Sequence, residues 1–426
     1  MRHKKRYPRP ERVGRSLCLI VACMSLVGVS CSRPGLVRDK YSADFYQIPK
    51  KLESNHFDQN PRFIIYGDNR PGWRLKEKFL RKEAWKTWKQ LIVPFYQIYW
   101  LGNGVVGLVN GLRRVPDYGD EQARWVRDAV YERAKSSNVD FLINTGDLVT
   151  NGRHPQRWET FIKQYKEEVP VVTDFAYLPT VGNHEHANDS VYAMPNYRDV
   201  LSYPPFYTLH GPDIDVFVID SNLILDQYGY IDDDTQDALF ETWFVSDPDA
   251  GEVAWLAQGL RSSKKTFKAV VMHHPPLAFA RHHGNWASAK NGRDLALKRH
   301  QLMELFRREG VDVVFSGHQH MYEHNTLSYT GESGEDDDIH FVITGGGGAP
   351  LHRAYDREEI DACRVNYTDE GLNTICVRQE VIYNYCLVDV TPSKMTIKVY
   401  RVSDDPDTNG RLVDTLILEG RGADSR

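Results

Sequence analysis

From residue 62 onward the chain alternates short apolar runs, each closed by a glycine or a polar turn, with stretches whose apolar residues recur at three and four spacings. The runs RFIIYGD (62–68), VDFLINTGD (139–147), FAYLPTVGNHE (175–185), IDVFVIDSN (214–222), FKAVVMHHPP (267–276), VDVVFSGHQH (311–320) and HFVITGGGG (340–348) read as strands. They are continuously apolar rather than strictly alternating, the pattern of strands covered on both faces, so the fold class is α/β. Helices are predicted over 120–137, 251–263 and 296–310, and the last closes on Arg307, Arg308 and Gly310. After 378 the pattern is strands alone, in EVIYNYCLVDVT, SKMTIKVYRVS and GRLVDTLILEG. No internal repeat is found. The acidic patches IDDDTQD and GESGEDDD read as solvated loops.

Two segments depart from this pattern. Residues 1–30 join MRHKKRYPRPERVGR, with seven Lys or Arg against one Glu, to an uncharged apolar run. That is the layout of an export signal and too short an apolar run for a folded membrane span. Small residues lead to Cys31 in VGVSC, and a polar stretch follows. This resembles a bacterial lipoprotein signal and implies cleavage before Cys31 and its lipidation. Gly28 stands where Leu, Val or Ile is usual, IVAC ending at Cys23 fits the local pattern after a shorter apolar run, and an ordinary cleaved signal is the alternative. Residues 31–61 are patternless and polar and read as a tether, so the expected location is the cell envelope or periplasm. The remaining span, 62–420, reads as one domain with C-terminal strands over 378–420.

The second departure is an insert over 72–118, where an α/β connection needs only a few residues. GWRLKEKFLRKEAWKTWKQ (72–90) has seven Lys or Arg, two Glu and three Trp, and it runs into 22 uncharged residues (91–112). Basic, Trp-bearing flanks around an apolar segment have the composition of a membrane-interface element. A helical hairpin packed on its own domain has the same composition. Four glycines, Pro94 and two asparagines within 91–112 argue against a full span.

At 426 residues the chain can form one large domain or two ordinary ones, with 12% aromatic and 26% charged residues. The formal charge is −5; taking the net +6 of residues 1–30 from it leaves about −11. A chain this acidic is not expected to bind nucleic acid. Beyond Cys31 lie three cysteines. Cys363 and Cys376 flank the polar stretch CRVNYTDEGLNTIC and could close it as a disulfide in an exported protein, whereas Cys386, in an apolar strand, reads as a buried thiol.

Five predicted strand ends carry metal-competent groups: Asp68; Asp147; Asn183 with His184; His273; and His318 with His320. Ligands of open α/β sheets bind outside the carboxyl ends of strands, so one cluster can draw on all five. Carboxylate, amide and imidazole together suit zinc and first-row transition metals. Their number exceeds what one tetrahedral ion needs and argues for two ions.

The ordered motifs GD, GDLV, GNHE, VVMHH and GHQH resemble the calcineurin-like metallophosphoesterase superfamily. EVAWLAQGL before the fourth motif and ITGGGGAPL after the fifth look like it too, the latter similar to the purple acid phosphatase branch. The resemblance covers roughly 62–400. It implies a two-sheet β-sandwich flanked by helices, in α/β/β/α layers. It also implies two divalent or trivalent ions (Fe, Zn or Mn), with Asp147 bridging them, Asp68 and His320 completing metal 1, and Asn183, His273 and His318 completing metal 2. A hydroxide bridging the ions would attack phosphorus in line with the leaving oxygen, with His184 stabilising or protonating the leaving group. His282 and His283 match a histidine pair of the purple enzymes, which implies a substrate contact for His282 and a catalytic one for His283; a solvated loop pair is the alternative.

Two positions depart from the family pattern. Most of the superfamily has Asp-x-His in the first motif, where this chain has Asp68-Asn69-Arg70. The purple enzymes instead have a tyrosine three residues after the bridging aspartate, where this chain has Thr150. Metal 1 is therefore one protein ligand short of either scheme, and the iron–phenolate colour is not expected. A guanidinium cannot ligate a cation but can hold a phosphate oxygen, so Arg70 reads as a substrate clamp. The expected activity is phosphomonoester hydrolysis. A phosphodiesterase or pyrophosphatase acting on a lipid-linked or nucleotide substrate stands beside it, as does a catalytically weak, metal-bound envelope scaffold.

Overall fold

The computed structural model describes residues 54–70, 120–187, 190–225, 252–286, 295–330 and 336–420. The predicted export signal with Cys31, most of the tether and the insert over 72–118 lie outside the described residues. Among the described residues no helix is long and apolar enough to cross a membrane.

The thirteen described strands form two mixed sheets. The first, in order β13-β12-β11-β1-β2-β3, has six strands, and the second, in order β10-β8-β9-β7-β6-β5-β4, has seven. In the first sheet β1 (Arg62–Tyr66), β2 (Phe141–Asn144) and β3 (Ala176–Pro179) are parallel, and β11 (Tyr383–Val390) pairs antiparallel with β1. Beyond β11 lie β12 (Lys394–Val402) and β13 (Leu412–Glu419). In the second, β5 (Ile214–Val218), β6 (Phe267–Met272), β7 (Val313–Ser316) and β9 (Asp336–Thr344) are parallel. Its antiparallel members are β4 (Tyr207–His210), β8 (Tyr322–Thr330) and β10 (Thr374–Glu380).

The two-residue period of a strand sorts the apolar runs into layers. Phe63 and Ile65 of β1, and Ala269 and Val271 of β6, join one core that draws on both sheets. Ile64 and Tyr66 face outward with Val126 and Val130 of α1 (Asp120–Ser137), Trp158 of α2 (Pro155–Ile162) and Val200 of α3 (Ser190–Leu201). Val270 and Met272 join Leu256 of α4 (Glu252–Ser262), Phe306 of α5 (Leu295–Arg308) and Tyr367 of α6 (Arg357–Asp369). The result is the expected sandwich of two sheets between helices. Every predicted strand from 62 to 348 appears, and α1 has the predicted bounds.

Three readings need correction. The stretch between Cys363 and Cys376 is not closed by a disulfide: Cys363 lies buried in α6, Cys376 is half-buried in β10, and both are free thiols. The signal for α6 was present in the capping box, in which Asp356 accepts from Glu359 N and the Glu359 carboxylate accepts from Asp356 N. The end of the supposed tether is docked. His56 stacks on His210 at 4.5 Å, Phe57 N donates to His210 O at 2.8 Å, and the Asn60 amide donates to Asp213 at 2.6 Å. Finally, β8 escaped notice because its sequence, YEHNTLSYT, is polar; Glu323 and Asn325 are nonetheless fully buried.

Candidate metal centre

The carboxyl ends of β1, β2, β3, β6 and β7 bring the named residues together. Three of them share a local device, a glycine followed by a ligand-type residue in the left-handed region: Asp68 (φ 60°), Asp147 (φ 60°) and His318 (φ 64°). Such a conformation costs a non-glycine residue about 1–3 kcal/mol and persists only where the surroundings fix it. Here they do. Asp68 N donates to Gly146 O at 2.9 Å, His318 N donates to the Asp68 carboxylate at 2.8 Å, and His184 N donates to Asp147 Oδ1 at 3.0 Å. Gly317 is required by close approach, since a Cβ there would lie 2.5 Å from Asp68 Oδ2.

Two clusters result. One ligand atom from each of Asp68, Asp147 and His320 lies within 4.8 Å of the others, and the same holds for His273, His274 and His318. His320 Nε2 is 3.3 Å from Asp68 Oδ1, a buried oxygen that receives no hydrogen bond. His273 Nε2 is 3.0 Å from Asn183 Oδ1, 3.2 Å from His318 Nδ1 and 3.4 Å from Asp147 Oδ1. Asp147 thus touches both clusters. Burial, with Asp147 alongside, pushes Asp68 up to about 8. Burial also opposes ionisation of Asp147, but the charges of His184, His273 and Arg70 outweigh it and hold its pKa below the usual carboxylate range. Two buried carboxylates, one with an orphaned oxygen, beside converging imidazoles and an amide are a donor set that fits cations.

His184 is anchored by its Nδ1, 2.6 Å from Thr150 O, with Nε2 at 3.8 Å from Asp147 Oδ2. Its side chain is 28% exposed, against 1% for Asp147, so it faces the open side. Burial lowers its pKa to about 4. Arg70 Nε donates to Asp147 Oδ2 at 3.0 Å. His282 lies against His318 with ring centroids 3.9 Å apart, and burial pushes its pKa down to about 3. His283 is not brought to the cluster. Its Nε2 is 3.1 Å from the Asn366 amide and its ring packs on Tyr367, toward α6. The predicted pair therefore divides because successive residues of this short turn point to opposite sides.

Sequence reasoning passed over three contributors. Glu185, fully buried in GNHE, accepts from the backbone N–H groups of Asp147, Leu148, Val149 and Gly182 at 2.8–3.1 Å, tying the β2 end to the β3 end. His352 stacks on His320 at 4.2 Å, and its Nδ1 accepts from His320 N at 3.1 Å. His274 completes the second cluster. Only the adjacency of Glu185 and His274 to motif residues marked them in the sequence; nothing marked His352.

Comparison with known proteins agrees with this geometry. Residues 117–322 match the family model for calcineurin-like phosphoesterase. Purple acid phosphatase 22 of Arabidopsis thaliana is 25% identical over 228 residues, 53% of this chain and 48% of that one. The structure of purple acid phosphatase PPD1 from yellow lupin (Lupinus luteus) seeds is similar with a TM-score of 0.51 at 15% identity, covering 85% of this chain and 54% of that one. The chain thus spans about half the length of these two proteins. At 15% identity the structural likeness speaks for the fold alone. The matched segment 117–322 is set in a sandwich whose first strand, ahead of that segment, contributes Asp68, so the likeness to calcineurin-like phosphoesterases covers just under half of the chain.

Proposed function

We propose that the protein is an exported dimetal phosphohydrolase that prefers phosphomonoesters. The observation that carries this reading is the convergence of six ligand-type side chains from five strand ends on two clusters that share Asp147. Asp68 and His320 would hold one cation and Asn183, His273 and His318 the other, with Asp147 serving both. Two such ions supply Lewis acidity and an activated water.

The surrounding residues supply the rest. Thr150 O fixes the His184 ring with Nε2 toward the centre. That nitrogen can take a proton and return it to a leaving oxygen, and the charge of an arriving phosphate favours the doubly protonated ring. Arg70 has further N–H groups beyond the Nε held by Asp147, and a guanidinium fork suits phosphate oxygens. His282 stands beside His318 as a neutral donor to substrate. The signal-like N-terminus supports export with lipidation at Cys31. The insert supports contact of residues 72–112 with an anionic membrane surface.

A metal-supplemented panel of p-nitrophenyl phosphate, its bis ester, a nucleotide pyrophosphate and a lipid phosphate tests the reading. The monoester should be cleaved fastest. Fastest cleavage of a diester, anhydride or lipid phosphate would replace the substrate class, and inactivity with both ions bound would leave a scaffold. A protein beginning at Ser32 should co-sediment with anionic vesicles, more weakly as salt rises. Indifference to vesicles at low salt removes the membrane element.

A further inference from the structure

Four imidazoles at the centre are anchored alike. His184, His273 and His320 each place Nδ1 against a backbone carbonyl, of Thr150 at 2.6 Å, Thr145 at 2.7 Å and Pro350 at 2.8 Å. An Nδ1–H donated to such an acceptor fixes the tautomer and leaves the Nε2 lone pair facing inward, the arrangement of metal-binding histidines. In all three, Nε2 points at a site oxygen: Asp147 Oδ2 at 3.8 Å, Asn183 Oδ1 at 3.0 Å and Asp68 Oδ1 at 3.3 Å.

His274 is the fourth. Its Nδ1 lies 2.9 Å from Ser221 Oγ, and the same hydroxyl oxygen accepts from His274 N at 3.0 Å, so ring and backbone are pinned together. The residue is fully buried, and its Nε2 has no hydrogen-bond partner. A buried polar atom left in this state is costly and calls for an explanation. The ring does not lie among aliphatic side chains only. Its centroid is 4.9 Å from that of His273 and 4.4 Å from that of His318, and a nitrogen of each ring lies within 4.8 Å of the others.

We infer that His274 is a third imidazole ligand of the cation held by His273 and His318. The inference rests on the dimetal reading above. It gives that half Asn183, His273, His274, His318 and the shared Asp147, and leaves Asp68 and His320 with Asp147 in the other. The nitrogen-rich half then prefers cations late in the series from Mn²⁺ to Zn²⁺ and releases its ion last.

The test uses the full chain, stripped by chelator and titrated with Co²⁺ alone. Each ligating imidazole shows one hyperfine-shifted, D₂O-exchangeable ring N–H proton signal. Four are expected, from His273, His274, His318 and His320. The His274→Phe variant keeps ring bulk; it should lose one signal and weaken one of the two ions about tenfold or more, leaving the other unchanged. Three signals in the unaltered protein, or unchanged affinities in a folded His274→Phe variant, make His274 a core histidine and overturn the inference. If that variant does not fold, the signal count in the unaltered protein still decides. Fewer than two Co²⁺ bound by the unaltered protein would sink the dimetal reading along with it.

Discussion

The ends of the six-stranded sheet present oxygen donors to the centre, in Asp68, Asp147 and Asn183, whereas the ends of the seven-stranded sheet present nitrogen donors, in His273, His318 and His320. With Asn183 3.0 Å and Asp147 3.4 Å from His273 Nε2, each half of the centre draws on both sheets. The carboxylates sit where two parallel strands end in glycine-led left-handed turns; Glu185 binds the backbone at Asp147 from behind, and Asp68 N donates to Gly146 O. His273 and His320 are pinned through Nδ1 to the carbonyls of Thr145 and Pro350, and His318 Nδ1 faces His273 Nε2. One sheet supplies the carboxylates and the other the imidazoles, so a cation held by both would tie the two halves of the sandwich together.

The largest test of this division removes charge from the oxygen side alone. Asp147→Asn keeps the shape but offers one good ligand oxygen and no charge, so turnover should vanish and metal content should fall. Near-normal turnover would take Asp147 out of the centre. Next is His184→Ala, which should leave metal content intact and cut kcat by about 10²–10⁴, the range of general acid–base groups. Loss of metal rather than rate would make His184 a ligand, not a catalyst.

A smaller effect concerns stability. An ion bound only when the two sheets are docked stabilises the folded state by about 2.7 kcal/mol at a hundredfold excess over Kd. Chelation should therefore lower Tm by several degrees, and metal should restore it. An unchanged Tm, with both ions shown to have left, would mean that docking does not depend on them.

How much of this was legible beforehand follows the same division. The buried parallel strands announced themselves by continuous apolarity, and their ligand residues by position at the strand ends. What stayed hidden was polar and buried. Glu323 in β8 is held by the backbone N–H of Phe279 and the side-chain amides of Gln319, Asn325 and Gln379, a network no periodicity records. Helix α6 was masked by its charged face, and His352 reaches the site from a loop 32 residues beyond His320. The separation of His282 from His283 depends on one turn of backbone between Ala280 and Asn285.

The smallest effect tests whether the oxygen side carries a substrate contact or only a lost ligand. Arg70 stands where the motif this chain resembles has histidine, and the structure seats it on Asp147: Nε donates to Asp147 Oδ2 at 3.0 Å and the backbone N donates to Asp147 O at 3.1 Å. Its side chain is 13% exposed, so a guanidinium held on one edge still meets the open side. A charge-assisted hydrogen bond is worth about 1.5–3 kcal/mol. If Arg70 clamps phosphate, Arg70→Ala should weaken inhibition by inorganic phosphate and raise KM, each by about tenfold, while both ions stay bound. Arg70→His separates the two explanations. As a clamp position it should lose phosphate affinity as the alanine variant does. Raised occupancy of the Asp68–His320 side with unchanged phosphate affinity would show that the arginine merely fills the place of a missing ligand.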